Sequence, residues 1–106
     1  SDEMLAYYLE AYRHSGFAGG INYYRNLDDN WRELLPLRNQ VIGCPVLFLA
    51  GCDDMVIQGA DETALREMMG ARVPQLEIVL YPKIGHWLQN EAAEQVNVDL
   101  LAFATA

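Results

Sequence analysis

Apolar residues recur along this chain in two different rhythms, and the change between them divides it. At the start, Leu5, Tyr8, Leu9 and Tyr12 stand at i, i+3, i+4 and i+7, the stripe of an amphipathic helix. Ser1 can cap that helix, and Asp2 and Glu3 suit the positive end of its dipole. Gly16, after His14 and Ser15, supplies the stop because glycine takes positive φ without a steric penalty. His14 is assigned to the helix end, where a cation is favourable. Gly19-Gly20 then predicts a turn into a second helix. That helix carries Tyr24, Leu27, Trp31 and Leu34 on one face, and Pro36 ends it.

Beyond Pro36 the rhythm changes. Pro45 to Ala50 is a short run apolar on both faces, as in a buried strand of a parallel sheet. Gly51 to Asp54 breaks it. Asp61 to Met69 predicts a helix with Leu65, Met68 and Met69 in the core, stopped at Gly70. Leu76 to Tyr81, between Pro74 and Pro82, predicts a second strand. Ile84 to Trp87 is then a loop, and Asn90 can cap a last helix faced by Val96, Leu100 and Phe103. Residues 37–106 thus read strand–helix–strand–helix, an α/β unit with parallel strands covered on both faces. Two such strands make too little sheet to stand alone, so neighbouring strands are expected from elsewhere.

Composition narrows the function classes. The chain has 106 residues, 52% of them hydrophobic, with 15 acidic against 7 basic side chains and a net charge of −8. So apolar a chain is not disordered. Its longest apolar run falls far short of the roughly 20 residues a membrane span needs. No Lys/Arg cluster offers a face for a phosphate backbone, so neither nucleic acid nor membrane is expected as a partner. The first residues show no basic stretch and no apolar core of a secretory signal. Cys44 and Cys52 flank the first strand and would lie about 26 Å apart, against the roughly 7 Å a disulfide allows. A reducing, cytoplasmic setting is expected.

Candidate chemistry sits where the two strands end, the usual position of sites in open α/β sheets. Asp54, or its neighbour Asp53, follows the first strand, and His86 follows the second, 32 positions after Asp54. A βαβ unit is about that long, so the two loops are brought together. A carboxylate bonded to imidazole orients the ring and stabilises its protonated form, as a general base requires. A metal site from Cys52, Asp53, Asp54 and His86 is not expected, since zinc usually draws on several His or Cys ligands. No G-x-S-x-G, G-x-G-x-x-G or phosphate-loop pattern occurs. Read on its residues alone, Tyr24 is a core aromatic of the Leu27 and Trp31 stripe.

Three segments carry a resemblance to a known family. Ser15-Gly-Phe-Ala-Gly-Gly-Ile-Asn-Tyr-Tyr24-Arg-Asn, followed by Asn30-Trp31, resembles the cap segment of soluble α/β-hydrolase-fold epoxide hydrolases, close to S-G-F-x-G-x-x-N-x-Y-R-N. Pro45 to Val56 is similar to that family's P-x-L-x-x-x-x-x-x-D-x-V, and Gly85 to Glu91 to its G-H-W-x-Q-x-E. The resemblance runs from Tyr8 to Phe103. It implies that residues 1–36 end a helical cap and that 37–106 are the last two strands and flanking helices of an α/β-hydrolase core. It further implies epoxide hydrolysis to a vicinal diol through an alkyl–enzyme ester, with Tyr24 as hydrogen-bond donor to the epoxide oxygen, Asp54 as the acid and His86 as the base. Asp54 is preferred to Asp53 because Val56 then falls on the pattern.

Tyr23, Trp31, Met55, Val56 and Trp87 are the expected lining of an apolar substrate pocket, without metal or organic cofactor. The nucleophilic Asp and oxyanion loop are expected in an N-terminal part of the hydrolase, outside this sequence. Two alternatives stay open: a haloalkane or haloacid dehalogenase of the same fold, and a non-catalytic interaction module.

Overall fold

The computed structural model describes residues 1–57 and 59–105. Helix α1 (Asp2–Ser15) starts at Ser1, whose hydroxyl accepts the Met4 N–H at 3.3 Å. It stops at Gly16, where φ is +64° and the N–H reaches back to the Tyr12 carbonyl at 2.8 Å. Tyr12 and Phe17 stack at 4.6 Å across that corner.

The second helical stretch departs from the sequence expectation. Gly19 and Gly20 make no turn; they lie in the first turn of α2 (Ala18–Arg25). Nor does one helix run to Pro36. Asn26 interrupts it at φ −85°, ψ −1°, and α3 (Leu27–Leu34) follows. The Asn26 N–H still reaches the Asn22 carbonyl and the Asn26 carbonyl still accepts the Asn30 N–H, so the helix is broken with little loss of hydrogen bonding. Pro36 sits inside a short 3-10 turn, Leu35–Leu37, where the missing N–H is tolerated in the first positions. Leu27, Trp31 and Leu34 of the expected stripe are all exposed.

The strand–helix–strand–helix order emerges as read. Strand β1 (Val46–Gly51) and β2 (Leu76–Tyr81) pair in parallel with Val46 opposite Leu76 and Gly51 opposite Tyr81. Between them α4 (Glu62–Met69) begins at Asp61, whose Oδ1 accepts the Ala64 N–H at 2.9 Å. Arg66 ties α4 to the sheet by donating to the Leu76 carbonyl at 2.9 Å and to Glu62 at 2.8 Å. Leu65, Val73, Leu76 and Ile78 form the buried core on this side, with Phe48 and Met69 against them. Met68 is exposed, contrary to the core position expected of it. Leu65 and Met69, one turn apart, share the stripe that meets the sheet, and Met68 lies to its side.

After β2, a single turn α5 (Leu88–Glu91) precedes α6 (Ala93–Ala104). Asn90 therefore lies within α5 instead of capping the last helix, and Ala92 begins α6 without a side-chain cap. Ala92, Val96 and Tyr81 form the second buried group, with Leu49, Val79, Ile84 and Leu88 packed on it. Phe103 is half-buried and Leu100 exposed. The chain resolves into two compact units, Ser1–Asn39 and Gln40–Ala106. Among the described residues no helix is long and apolar enough to cross a membrane.

Candidate functional site

In the second unit the strand pairing continues past the strand ends into the loops that bear chemistry. The Cys52 N–H donates to the Tyr81 carbonyl and the Asp53 N–H to the Ile84 carbonyl, each at 2.9 Å. The chain reaches that second contact through Lys83, which adopts φ +63°. A left-handed non-glycine residue carries a cost of about 1–2 kcal/mol, accepted here where the loop must swing back toward β1.

Gly51 allows the loops to come this close. A Cβ at that position would collide with the backbone oxygens of Ile84 and Gly85. Close backbone approach of this kind is what glycine permits.

The result is one contact between distant residues. His86 Nδ1 lies 3.1 Å from Asp54 Oδ1 and 3.0 Å from Oδ2. The Asp54 side chain is only 9% exposed, whereas His86 is 54% exposed. Asp54 Oδ1 also accepts the Val56 N–H at 2.8 Å, which holds the carboxylate from its own loop. That N–H first, and the His86 hydrogen bond second, hold the Asp54 carboxyl below its ordinary range against the opposing effect of burial. With Nδ1–H donated to Asp54, Nε2 is the nitrogen with a lone pair for a proton.

Asp53, the rival for the acid position, is exposed. It meets the other loop through its backbone.

Met55, Val56, Trp87 and His86 line one open depression together with Asp53, and Trp87 sets its ring edge-on to the imidazole at 5.4 Å. Tyr23, Tyr24 and Trp31 belong to the first unit. Tyr24 is 77% exposed on α2 and Trp31 is exposed on α3. Tyr23 lines a separate depression with Gly19, Asn22, Asn26 and Asn30. Among the described residues no three His, Cys, Asp or Glu gather as a metal site.

Sequence reasoning passed over Lys83, Gly51 as a spacer, and Glu91. Gly51 and Glu91 stand inside the motifs already noted, but spacing does not reveal what a missing Cβ or a carboxylate touches. Glu91 accepts the Gly85 N–H at 2.8 Å and the Trp87 N–H at 3.1 Å.

Comparison with known proteins identifies the fold. The family model described as the dienelactone hydrolase family matches residues 4–103. Epoxide hydrolase A of Mycobacterium tuberculosis is 38% identical over 105 residues, covering 99% of this chain and 32% of that protein. An epoxide hydrolase crystal structure from Vigna radiata superposes with a TM-score of 0.87 at 30% identity, over 99% of this chain and 35% of that one. Potato (Solanum tuberosum) epoxide hydrolase I gives a TM-score of 0.85 at 27% identity, with 99% and 34% covered. The chain thus has the fold of a portion of an α/β hydrolase and spans about a third of the length of these relatives.

Proposed function

We infer that this chain, which belongs to the dienelactone hydrolase family, supplies the water-activating residues of an epoxide hydrolase. The observation that carries the reading is the Asp54–His86 contact at 3.0 Å, made by two loops that bear epoxide hydrolase motifs. The relatives of highest identity named above are epoxide hydrolases, which supports the same substrate class.

The chemistry proceeds in two halves. A carboxylate nucleophile, assigned to a part of the longer hydrolase that this chain does not span, attacks an epoxide carbon. The ring C–O bond breaks as the ester C–O bond forms, and the developing alkoxide takes a proton from the Tyr24 phenol. A phenol O–H can give its proton to an alkoxide as that charge develops. His86 Nε2 then takes a proton from water. The hydroxide so formed attacks the ester carbonyl carbon. The tetrahedral intermediate then breaks its C–O bond to the alcohol, whose oxygen takes the intermediate's hydroxyl proton to leave free carboxylate and diol. The imidazolium proton returns through solvent to the Tyr24 phenolate. Asp54 keeps Nδ1–H oriented and offsets the charge of the imidazolium.

Tyr24's part rests on the S-G-F…N-x-Y-R-N pattern. We assign residues 1–36 to the cap and 37–106 to the core, with Tyr23, Trp31, Met55, Val56 and Trp87 lining the pocket of a small apolar epoxide. The shared depression of Met55, Val56, Trp87 and His86 supports this for those residues. No cofactor or metal is assigned, and two free cysteines suit a reducing cytoplasmic setting.

A second reading is favoured by the family description: an acid–histidine pair serves lactone hydrolysis equally well. Parallel assays of the complete hydrolase on an aryl epoxide and on a lactone separate the two. Diol formation is expected, with Tyr24→Phe slowing it by about 10²–10⁴-fold. Lactone turnover without any diol overturns the proposal.

A further inference from the structure

His86 is half exposed, so packing alone does not hold its ring against Asp54. The backbone on either side of it is held instead. Glu91 closes α5 five positions later, and its two carboxylate oxygens reach back to separate amides. Oε2 accepts the Gly85 N–H at 2.8 Å and Oε1 the Trp87 N–H at 3.1 Å.

One side chain therefore holds the amides of the residues on either side of His86. Two charge-assisted bonds from a single carboxylate fix both position and orientation of what they grip. The fit is close, since a Cβ on Gly85 would lie 3.1 Å and 3.3 Å from the Glu91 oxygens. Gly85 leaves room for the carboxylate, and Glu91 then sets where the His86 Cα–Cβ bond points.

We propose that Glu91 is a positioning residue for His86, holding the imidazole on Asp54 by clamping the amides before and after it. Its consequence for turnover rests on the epoxide hydrolase reading above; the clamp itself does not. A plainer role competes with it, in which Glu91 only satisfies two loop amides, Gly85 and Trp87, that lead into a single-turn helix.

Histidine-selective ¹⁵N spectra of the full chain distinguish the two, with His86→Gln giving the assignment. In the wild type His86 is expected as the Nδ1–H form with a strongly downfield proton. Glu91→Ala should lose that proton signal and show mixed tautomers. Glu91→Gln keeps one acceptor and the same shape, so it should fold and give an intermediate signal. In the complete hydrolase, Glu91→Ala should leave single-turnover ester formation within about twofold and slow ester hydrolysis by about 10–100-fold, as a small misplacement of the base does.

A Glu91→Ala protein with wild-type tautomer and ester hydrolysis, but a lowered melting temperature, overturns the proposal in favour of a simple cap. Should Glu91→Ala fail to fold, an unaltered Nδ1–H signal in Glu91→Gln overturns it equally. A lost Nδ1–H signal in a hydrolase that opens no epoxide supports the clamp and removes the substrate assignment instead.

Discussion

Asp54 and His86 stand 32 residues apart in the chain and meet at 3.0 Å, with the carboxylate buried and the imidazole half open to solvent. That asymmetry suits a proton relay, because the orienting group is shielded while the ring can reach a water. Replacing His86 by Gln keeps a side chain of similar size without a basic nitrogen. In the complete hydrolase, His86→Gln should still open the epoxide and then stall. Intact-mass spectrometry should find one substrate mass added per protein, with steady turnover down about 10²–10⁴-fold. Unimpaired multiple turnover would remove His86 from the mechanism.

Gly51 sets the spacing of the two loops, so Gly51→Ala forces the backbone of Ile84 and Gly85 away. The Asp53 N–H to Ile84 carbonyl bond should break with it. A loss of about 1–3 kcal/mol is expected from this overpacking, measured by urea unfolding, together with loss of the downfield His86 Nδ1 proton. A variant with wild-type stability and the same proton signal would refute the spacer role.

Acid stability should report on Asp54. Its carboxyl is held below the ordinary value of 3.8, first by the Val56 N–H and then by His86. A carboxyl whose pKa is lower folded than unfolded stabilises the fold above its ordinary pKa, and that contribution is lost as pH falls through the folded value. The melting temperature of the wild type should therefore exceed that of Asp54→Asn at pH 6, with the gap closing below about pH 4. A gap that is constant down to pH 3 would contradict this.

At the alkaline end the sign reverses. The Tyr81 hydroxyl donates to Asp99 at 2.5 Å, and burial first, then this carboxylate, pushes its pKa to about 12. The folded chain keeps the proton where the unfolded chain has lost it. Stability from this group is whole below the ordinary value of 10 and falls away as pH rises toward 12. Tyr81→Phe has no proton to lose, so its melting temperature should decline less than the wild type's across that window. Parallel declines would show that Tyr81 does not titrate there.

Leu65 is 4% exposed in the middle of the α4–sheet core. Leu65→Ala should cost about 2–3 kcal/mol, the lower part of the usual range, because its neighbours can shift into the space. Denaturant midpoints test this. Met68→Ala on the same helix is exposed and should cost less than about 0.5 kcal/mol.

Both strands, their parallel order and the loops bearing Asp54 and His86 were legible in the sequence. A buried strand announces itself as an unbroken apolar run such as Pro45 to Ala50, and chain order along a βαβ unit brings successive strand ends together whatever the side chains are. The Ser1 cap was legible for the same local reason: its hydroxyl accepts an amide only three residues away.

Other features depended on contacts that periodicity does not encode. The break at Asn26, the exposed Met68, and Asn90 inside α5 all turn on which face finds a partner or where one backbone bond is exchanged for another. Choosing Asp54 over Asp53 from sequence needed a motif. In the fold, Asp54 is the carboxylate that the Val56 amide and the His86 ring both reach. The spacer at Gly51, the left-handed Lys83 and the Glu91 clamp were decided by tertiary structure alone. The first two answer to backbone groups of separate loops and the third to a side chain that reaches back over its own turn, and a one-dimensional pattern holds the residues but not the distances between them.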